Sequence, residues 1–181
     1  MSTEQPPRSV IGVVLVGVPP EARAAIERYR ARDYDLRVAD VGPADDVEAG
    51  LEAVRSAMAA LTTEKVAVAG YGFGGRYAFL AVTRLGADAA AAFYGAGIGG
   101  HLDESARVKK PLTFHFGDDD DRVPFEEVRA IKGALEGFGT TEIYRYPGVR
   151  HGFALLGDPN YDEAAALAAE RRVFAVLDRL R

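Results

Sequence analysis

Residues 65–77 of the chain read KVAVAGYGFGGRY, and this stretch carries the strongest indication of the fold. The apolar run Lys65–Ala69 is typical of a short buried strand. The glycines between Gly70 and Gly75 predict a tight turn, and a helix is predicted from Gly75 to about Leu85. A strand that passes through a tight turn into a helix is a unit of α/β proteins with a parallel sheet.

The same alternation of strands and helices continues on both sides of this stretch. Further strands are predicted at Val10–Val16, Leu36–Ala39, Ala89–Tyr94, Leu112–Phe116 and Thr141–Tyr146. Further helices are predicted from Pro19-Pro20 to about Arg32, from Asp45 to Leu61, from Pro124 to Gly137, and from Asn160 or Asp162 onwards. In the last helix, Asn160 and Glu163 have the spacing of a capping box. This order indicates the fold class α/β, with a doubly wound, mostly parallel sheet of about six strands.

Length and composition predict one domain at residues 10–181, preceded by a disordered tail at residues 1–9. The polar tail, which contains Pro6-Pro7, lacks the apolar segment of a signal peptide. Lys and Arg number 22 against 27 Asp and Glu, so the net charge of −5 argues against nucleic acid as a partner. No apolar run approaches the about 18 residues that cross a bilayer, so no membrane partner is expected. We expect a cytoplasmic protein, whose oligomeric state the sequence does not indicate.

The complete absence of cysteine limits the possible chemistry. It excludes a disulfide scaffold, an iron–sulfur cluster, a cysteine-ligated zinc site and a cysteine nucleophile.

Three loops that follow predicted strands carry unusual residues. They are Gly70–Gly75, Gly117–Pro124 with four consecutive aspartates, and Pro147–Phe153 with a histidine. In an open α/β sheet, ligands bind at the carboxyl ends of the strands. We therefore expect the functional site where these loops meet.

The first loop has two interpretations. Gly70, Gly72 and Gly75 match the dinucleotide-binding pattern G-x-G-x-x-G, which needs an acidic residue at the end of the next strand. That strand ends in Phe93-Tyr94-Gly95, and the nearby Asp88 stands at its start, which argues against a nucleotide cofactor. The alternative is a nucleophile elbow, in which small residues flank a strained central residue. Gly70 and Gly74 would then be the flanks, and Gly72 would stand at the nucleophile position.

Taken together, the motifs resemble the dienelactone hydrolase family of α/β-hydrolases, whose elbow reads Gly-aromatic-Cys-x-Gly-Gly. The resemblance rests on Gly70–Tyr77, Phe93–Gly95, Phe114–Gly117, Val123-Pro124 and His151–Phe153, and it extends from about Val10 to the C-terminus. It implies an α/β-hydrolase fold that acts on a small ester or lactone, with no cofactor and no metal.

Carried over by position, the resemblance assigns the catalytic acid to Asp120 and the catalytic histidine to His151. An aspartate that binds one imidazole nitrogen leaves the other facing the elbow. The other three aspartates of Asp118–Asp121 are predicted to form a solvated turn or a hard-cation site. Substrate contacts are expected at Gly17, Val18, Tyr71 and Phe73. His115 is predicted to be a core histidine, and no role is assigned to His101.

The sequence also departs from the family pattern. Gly72 has no side chain and cannot form an acyl-enzyme. The loop Val16–Pro19 lacks the glutamate that the family carries there, and Leu155 replaces an arginine that binds a substrate carboxylate. The short connection Asp40–Ala44 replaces a long excursion, so the site is expected to be shallow, with a minimal lid.

Three hypotheses about function follow. The first is a dienelactone hydrolase-like enzyme without its nucleophile, in which His151 and Asp120 activate a water beside Gly72. The second is a catalytically inactive α/β-hydrolase-fold protein that binds a small molecule. The third, which the missing acid disfavours, is a nucleotide-binding protein.

Overall fold

The structure, a computed structural model, describes residues 11–181 of the chain. The tail predicted at residues 1–9 and the first residue of the first predicted strand lie outside the described residues.

Six parallel strands form one sheet in the order β2-β1-β3-β4-β5-β6. The strands are β1 (Ile11–Val16), β2 (Asp35–Ala39), β3 (Lys65–Tyr71), β4 (Ala89–Phe93), β5 (Leu112–Gly117) and β6 (Thr141–Tyr146). All neighbouring pairs run parallel, so the carboxyl ends of all six strands lie along one edge. The predicted α/β fold with a six-stranded parallel sheet is confirmed.

In residues 11–181, five α-helices cover the two faces of the sheet. They are α1 (Arg23–Arg30), α2 (Val47–Ala59), α3 (Phe73–Leu80), α4 (Phe125–Leu135) and α5 (Glu163–Asp178). Helices α1 and α5 pack on one face, and α2, α3 and α4 pack on the other, so there are two apolar cores. Strand β4 is fully buried and contributes four alanines, whose small side chains let helices approach both of its faces closely.

Several helix boundaries differ from the predicted ones because of local hydrogen bonds and turns. Helix α1 begins after the prolines, because the Ala22 N–H donates to the Pro19 carbonyl in a turn. Helix α3 begins at Phe73, two residues earlier than predicted, and continues as a π-helical turn at Ala81–Leu85 that ends at the left-handed Gly86. A 3₁₀-helical stretch at Ile98–Arg107 was not predicted.

The predicted capping box at the start of α5 is wrong. The cap is Asp162, whose carboxylate accepts a hydrogen bond from the Ala165 N–H at 2.9 Å. The Asn160 side chain instead donates to the carbonyl of His151 at 3.0 Å. A polar residue two positions from the cap therefore holds the histidine loop.

Two helical glycines provide a test of the packing on the α2–α3 face. A Cβ on Gly50 in α2 would collide with the buried ring of Tyr77, whereas a Cβ on Gly133 in α4 would meet nothing within 4 Å. We expect Gly50→Ala to lower the free energy of unfolding by about 1–3 kcal/mol through overpacking. Gly133→Ala should raise it by about 0.5–1 kcal/mol, because alanine favours the helix. Urea denaturation of both variants measures the difference, and equal effects would contradict this packing.

Candidate active site

The turn between β3 and α3 holds Gly72 in a conformation that few residues adopt. Gly72 precedes α3 with φ +56° and ψ −122°. Its N–H donates to the Phe93 carbonyl at 3.0 Å, and its carbonyl accepts from the N–H groups of Gly75 at 3.0 Å and Ala96 at 3.2 Å. Strand β4, the loop that follows it and the first turn of α3 therefore hold this residue in place.

The flanking glycines are required by the close approach of backbone segments. A Cβ on Gly70 would collide with the carbonyl of Gly74, and a Cβ on Gly74 would collide with the carbonyl of Val16. The turn has the small-x-x-x-small form of a nucleophile elbow, with Gly72 at its centre.

His151 and Asp120 form a hydrogen-bonded pair above this turn. Nδ1 of His151 lies 2.9 Å from Oδ2 and 3.1 Å from Oδ1 of Asp120. Asp120 Oδ1 also accepts from the backbone N–H groups of Arg122 at 2.8 Å and Val123 at 2.9 Å. Burial alone raises the pKa of Asp120, but the bond to His151 and the two backbone bonds outweigh it, so the pKa is lowered overall. The pair is thus built around an ionised carboxylate.

The second nitrogen of the imidazole faces Gly72. A Cβ placed on Gly72 would lie 3.6 Å from Nε2 of His151. The His151 side chain is only 12% exposed, and the Asp120 side chain has no exposed surface. The structure therefore brings together the three positions that the sequence assigned to the catalytic site.

Tyr94, which the sequence analysis did not assign, supports His151. Its ring centroid lies 4.8 Å from that of His151 and 5.3 Å from that of Phe153. Tyr94 is buried and has φ +39°, an uncommon conformation for a residue with a large side chain. The signal in the sequence was a tyrosine directly before Gly95 at the carboxyl end of a strand.

Of the four residues that are expected to contact substrate, two are exposed and two are buried. Phe73 is 54% exposed and Gly17 is exposed, so both can meet a ligand. The side chains of Val18 and Tyr71 are buried. The Tyr71 hydroxyl lies 3.2 Å from that of Tyr29, and its ring stacks on Phe93, so only the Tyr71 backbone reaches the site.

Other polar residues of the sequence analysis lie away from Gly72 or have different partners. Asp118 forms an ion pair with Arg145 at 2.7 Å. Asp88 lies at the amino ends of the strands, where it accepts from the Val66 N–H at 3.1 Å. A carboxylate at that edge cannot serve a nucleotide bound at the opposite one.

His115 is a core histidine, as predicted. Its Nδ1 lies 2.9 Å from the hydroxyl of Tyr146 and its Nε2 lies 3.1 Å from that of Thr113. Burial, with a smaller effect of Arg172, lowers the pKa of His115 to about 3. The ring is therefore neutral and structural.

The region above Gly72 is open. Loop residues 40–46 connect β2 to α2 directly, and Gly17 and Phe73 are exposed beside the turn. A small apolar void is present inside the sheet core near Val13, Ala67 and Val173, away from the turn. Across residues 11–181, no helix is long and apolar enough to cross a membrane.

An α/β sheet with an elbow, an aspartate and a histidine in this chain order defines a protein of the α/β-hydrolase class. A model of the dienelactone hydrolase family matches residues 22–180, and the chain belongs to that family.

The relatives in this family are longer than the chain. The chain is 32% identical to carboxymethylenebutenolidase 1 of Cupriavidus pinatubonensis, over 91% of this chain and 66% of that protein. It is 34% identical to the carboxymethylenebutenolidase of Pseudomonas putida, over 81% of this chain and 63% of that protein. The chain therefore spans about two thirds of the length of these curated relatives.

Solved structures share the fold at lower identity. A dienelactone hydrolase-like promiscuous phosphotriesterase from metagenomic libraries superposes with a TM-score of 0.78 at 17% identity, covering 97% of this chain and 88% of that one. An esterase of Thermogutta terrifontis superposes with a TM-score of 0.71 at 20% identity, covering 98% of this chain and 85% of that one. At these identities the likeness concerns the fold alone.

The hydrogen bonds to Asp120 predict a pH dependence of stability. Because the folded-state pKa is lowered, the ionised carboxylate stabilises the fold above its ordinary pKa of about 3.9, and this contribution is lost as the pH falls through the lowered value. We expect Asp120→Asn to reduce the free energy of unfolding at pH 7 by about 1–3 kcal/mol. The reduction should shrink below about pH 4.

Urea denaturation at pH 7 and pH 3 measures both effects. Asp119→Asn is the matched control, because the neighbouring Asp119 is exposed and its side chain should contribute little. A pH-independent loss in Asp120→Asn would show that the carboxylate charge does not matter.

Proposed function

We propose that this chain is a dienelactone hydrolase-like hydrolase of small esters or lactones in which Gly72 occupies the nucleophile position. In place of a covalent intermediate, a water beside Gly72 attacks the substrate. The observation that carries this proposal is the approach of His151 Nε2 to within 3.6 Å of a Gly72 Cβ, with Asp120 bound to Nδ1. The missing side chain leaves space on the side of the imidazole where a nucleophile would stand.

The reaction follows from the roles of these groups. Nε2 of His151 accepts a proton from the water as its oxygen bonds to the ester carbonyl carbon. Asp120 orients the ring and stabilises the imidazolium that forms. The tetrahedral intermediate then expels the alkoxide, which takes the proton back from Nε2, and the carboxylic acid and alcohol leave.

Backbone N–H groups near the turn are suited to stabilising the negative oxygen of the intermediate. Phe73 is the first residue of α3, where a backbone N–H has no carbonyl partner within the helix. The loop after β1 packs closely on this turn: a Cβ on Gly17 would collide with the Tyr71 carbonyl. Val18 follows Gly17 in the same loop. The N–H groups of Phe73 and Val18 are the proposed donors to this oxygen.

The substrate class follows from the openness of the site. The short connection at 40–46 leaves little wall for a large acyl group, and Phe73 offers one exposed apolar surface. Small, activated esters and lactones are the proposed substrates. The cytoplasmic location and the absence of a nucleic-acid partner stay predictions.

Hydrolysis of an activated ester tests the role of His151 in the unmodified site. We expect slow hydrolysis above background, which His151→Ala lowers by about 10²-fold because the general base is lost. Asp119→Asn should hydrolyse the ester at the rate of the unmodified chain. Circular dichroism checks that each variant is folded.

A non-catalytic binding protein is the second candidate, and the empty nucleophile position itself favours it. If the unmodified chain hydrolyses no ester above background, this candidate takes the place of the enzyme. A protein that only binds ligands has no need of a buried aspartate on a histidine that faces the turn, which favours the hydrolase.

Supplying a thiol at the turn provides a sharper test. Gly72→Cys places a sulfur near His151 Nε2, which can accept its proton and raise the thiolate fraction. We expect activated-ester hydrolysis to rise by about 10²-fold or more over the unmodified chain, because loss of a nucleophile costs up to about 10⁶-fold in a protease. The double variant Gly72→Cys with His151→Ala should lose this gain.

Gly72→Ala is the matched control, since it introduces the same backbone strain, of about 1–3 kcal/mol, without a thiol. A folded Gly72→Cys variant that is no faster than Gly72→Ala would contradict the proposed geometry and favour the binding protein.

A further inference from the structure

Arg76 carries a buried positive charge for which residues 11–181 provide no counter-ion. It lies one turn of α3 beyond Gly72 and is 8% exposed. Its Nη2 donates to the carbonyl of Ala44 at 2.7 Å and, at 3.4 Å, to the hydroxyl of Tyr77. Its Nε is buried and donates to no acceptor, and within residues 11–181 no carboxylate lies within 4.0 Å of the guanidinium.

The two buried glutamates of the described residues, unlike Arg76, each have a partner of opposite charge. Glu104 forms an ion pair with Arg84 at 2.5 Å, and Glu170 forms one with Arg28 at 2.8 Å. A buried charge without a partner is costly, because the charge is removed from water and gains no attraction in return. Among the buried charged residues of the described part of the chain, Arg76 is the exception, since its Cζ lies 5.2 Å from the centroid of the Tyr77 ring but beside no carboxylate.

The space beside the guanidinium is open at a glycine. A Cβ on Gly97, which has φ +82°, would lie 3.4 Å from Nη1 of Arg76, and Nη1 donates to no protein acceptor in the described chain. The preceding residue, Ala96, donates its N–H to the Gly72 carbonyl. Nη1 thus lies beside a loop that contacts the elbow.

Positive charge extends from this point into the 3₁₀-helical stretch. Burial and then the charges of Arg84 and Arg76 lower the pKa of His101, although Glu104 acts in the opposite direction. On the outer face of α3, the exposed ring of Phe73 stands one turn before Arg76. A cation with free donors and a neighbouring apolar surface are the two features that bind an organic acid.

We propose that Arg76 is the anchor of a small-anion site beside the elbow, which binds a carboxylate or phosphate group while Phe73 contacts the apolar part of the ligand. A guanidinium N–H donates a charge-assisted hydrogen bond to such a group. Nη1, which faces the space at Gly97 and donates to no acceptor within residues 11–181, is the nitrogen that makes this contact. The site goes beyond the proposed hydrolysis, because Arg76 has no part in activating water.

Arginine side-chain NMR tests the site directly. In ¹⁵N-labelled protein, the Nε–H signal of Arg76 is identified by its loss in Arg76→Lys. Acetate and inorganic phosphate are titrated separately, with sodium chloride at matched ionic strength as the control. We expect one of the two anions to shift this signal saturably, which also tells a carboxylate ligand from a phosphate ligand. No saturable shift with either anion would overturn the proposal.

Calorimetry with variants provides the second measurement. Arg76→Met should abolish binding of that anion, whereas Arg129→Met, which removes an exposed guanidinium on α4, should bind as the unmodified chain does. Arg76→Lys keeps the charge but has no nitrogen at the position of Nη1, so its affinity for the anion should fall by about tenfold. This variant provides the test if Arg76→Met does not fold. Unchanged affinity in Arg76→Met or Arg76→Lys would overturn the proposal. Neither readout depends on ester hydrolysis, so the outcome is separate from that of the proposed function.

Discussion

The contact between β3 and α3, made backbone to backbone with no side chain between them, fixes the turn around which the candidate site is built. Gly70 lies against the carbonyl of Gly74, and Gly74 lies against the carbonyl of Val16, so β1, β3 and α3 meet at one point. This contact holds Gly72 at φ +56° at the carboxyl edge of the sheet, where its N–H bonds to β4. A methyl group at either flank would separate the helix from the strands and move the centre of the site.

The histidine depends on a second set of contacts, made by loops that are distant in the sequence. Asp120 follows β5, and its carboxylate is fixed by the backbone N–H groups of Arg122 and Val123 before it binds His151. The ring of Tyr94 packs on the imidazole. The backbone of Tyr94 has a positive φ, which costs on the order of 1–3 kcal/mol. Strain at Tyr94 persists because the hydrogen bond from its N–H to the His115 carbonyl, at 2.7 Å, and its burial determine its position.

Glycine at position 72 lowers the conformational free-energy cost of the positive φ that the turn requires. A positive φ is tolerated by glycine at little cost, whereas a side chain there is strained. The chain thus combines the backbone of a nucleophile elbow with a residue that cannot perform covalent catalysis. The His151–Asp120 pair remains complete beside it.

The order of strands and helices could be predicted from the sequence because apolar periodicity and glycine-rich turns are local properties. Strand β6 was predicted with its observed bounds. Gly72, Asp120 and His151 lie together at the carboxyl edge because each of them follows a strand of one parallel sheet. Helix ends were less predictable: Asp162 caps α5 in place of Asn160, which the tertiary structure uses to hold the His151 carbonyl.

Motif order also indicated which three residues would meet, since Gly72, Asp120 and His151 each follow a strand of the same parallel sheet. Side-chain direction was beyond the sequence. The Tyr71 side chain turns into the core toward Tyr29, Tyr94 packs on His151, and Arg76 is buried with no carboxylate of residues 11–181 beside it. Periodicity can assign a residue to a strand or helix, but its partners come from segments far away in the chain. Only the packed structure brings those segments together, and their contacts decide which polar groups are satisfied and which remain free to bind a ligand.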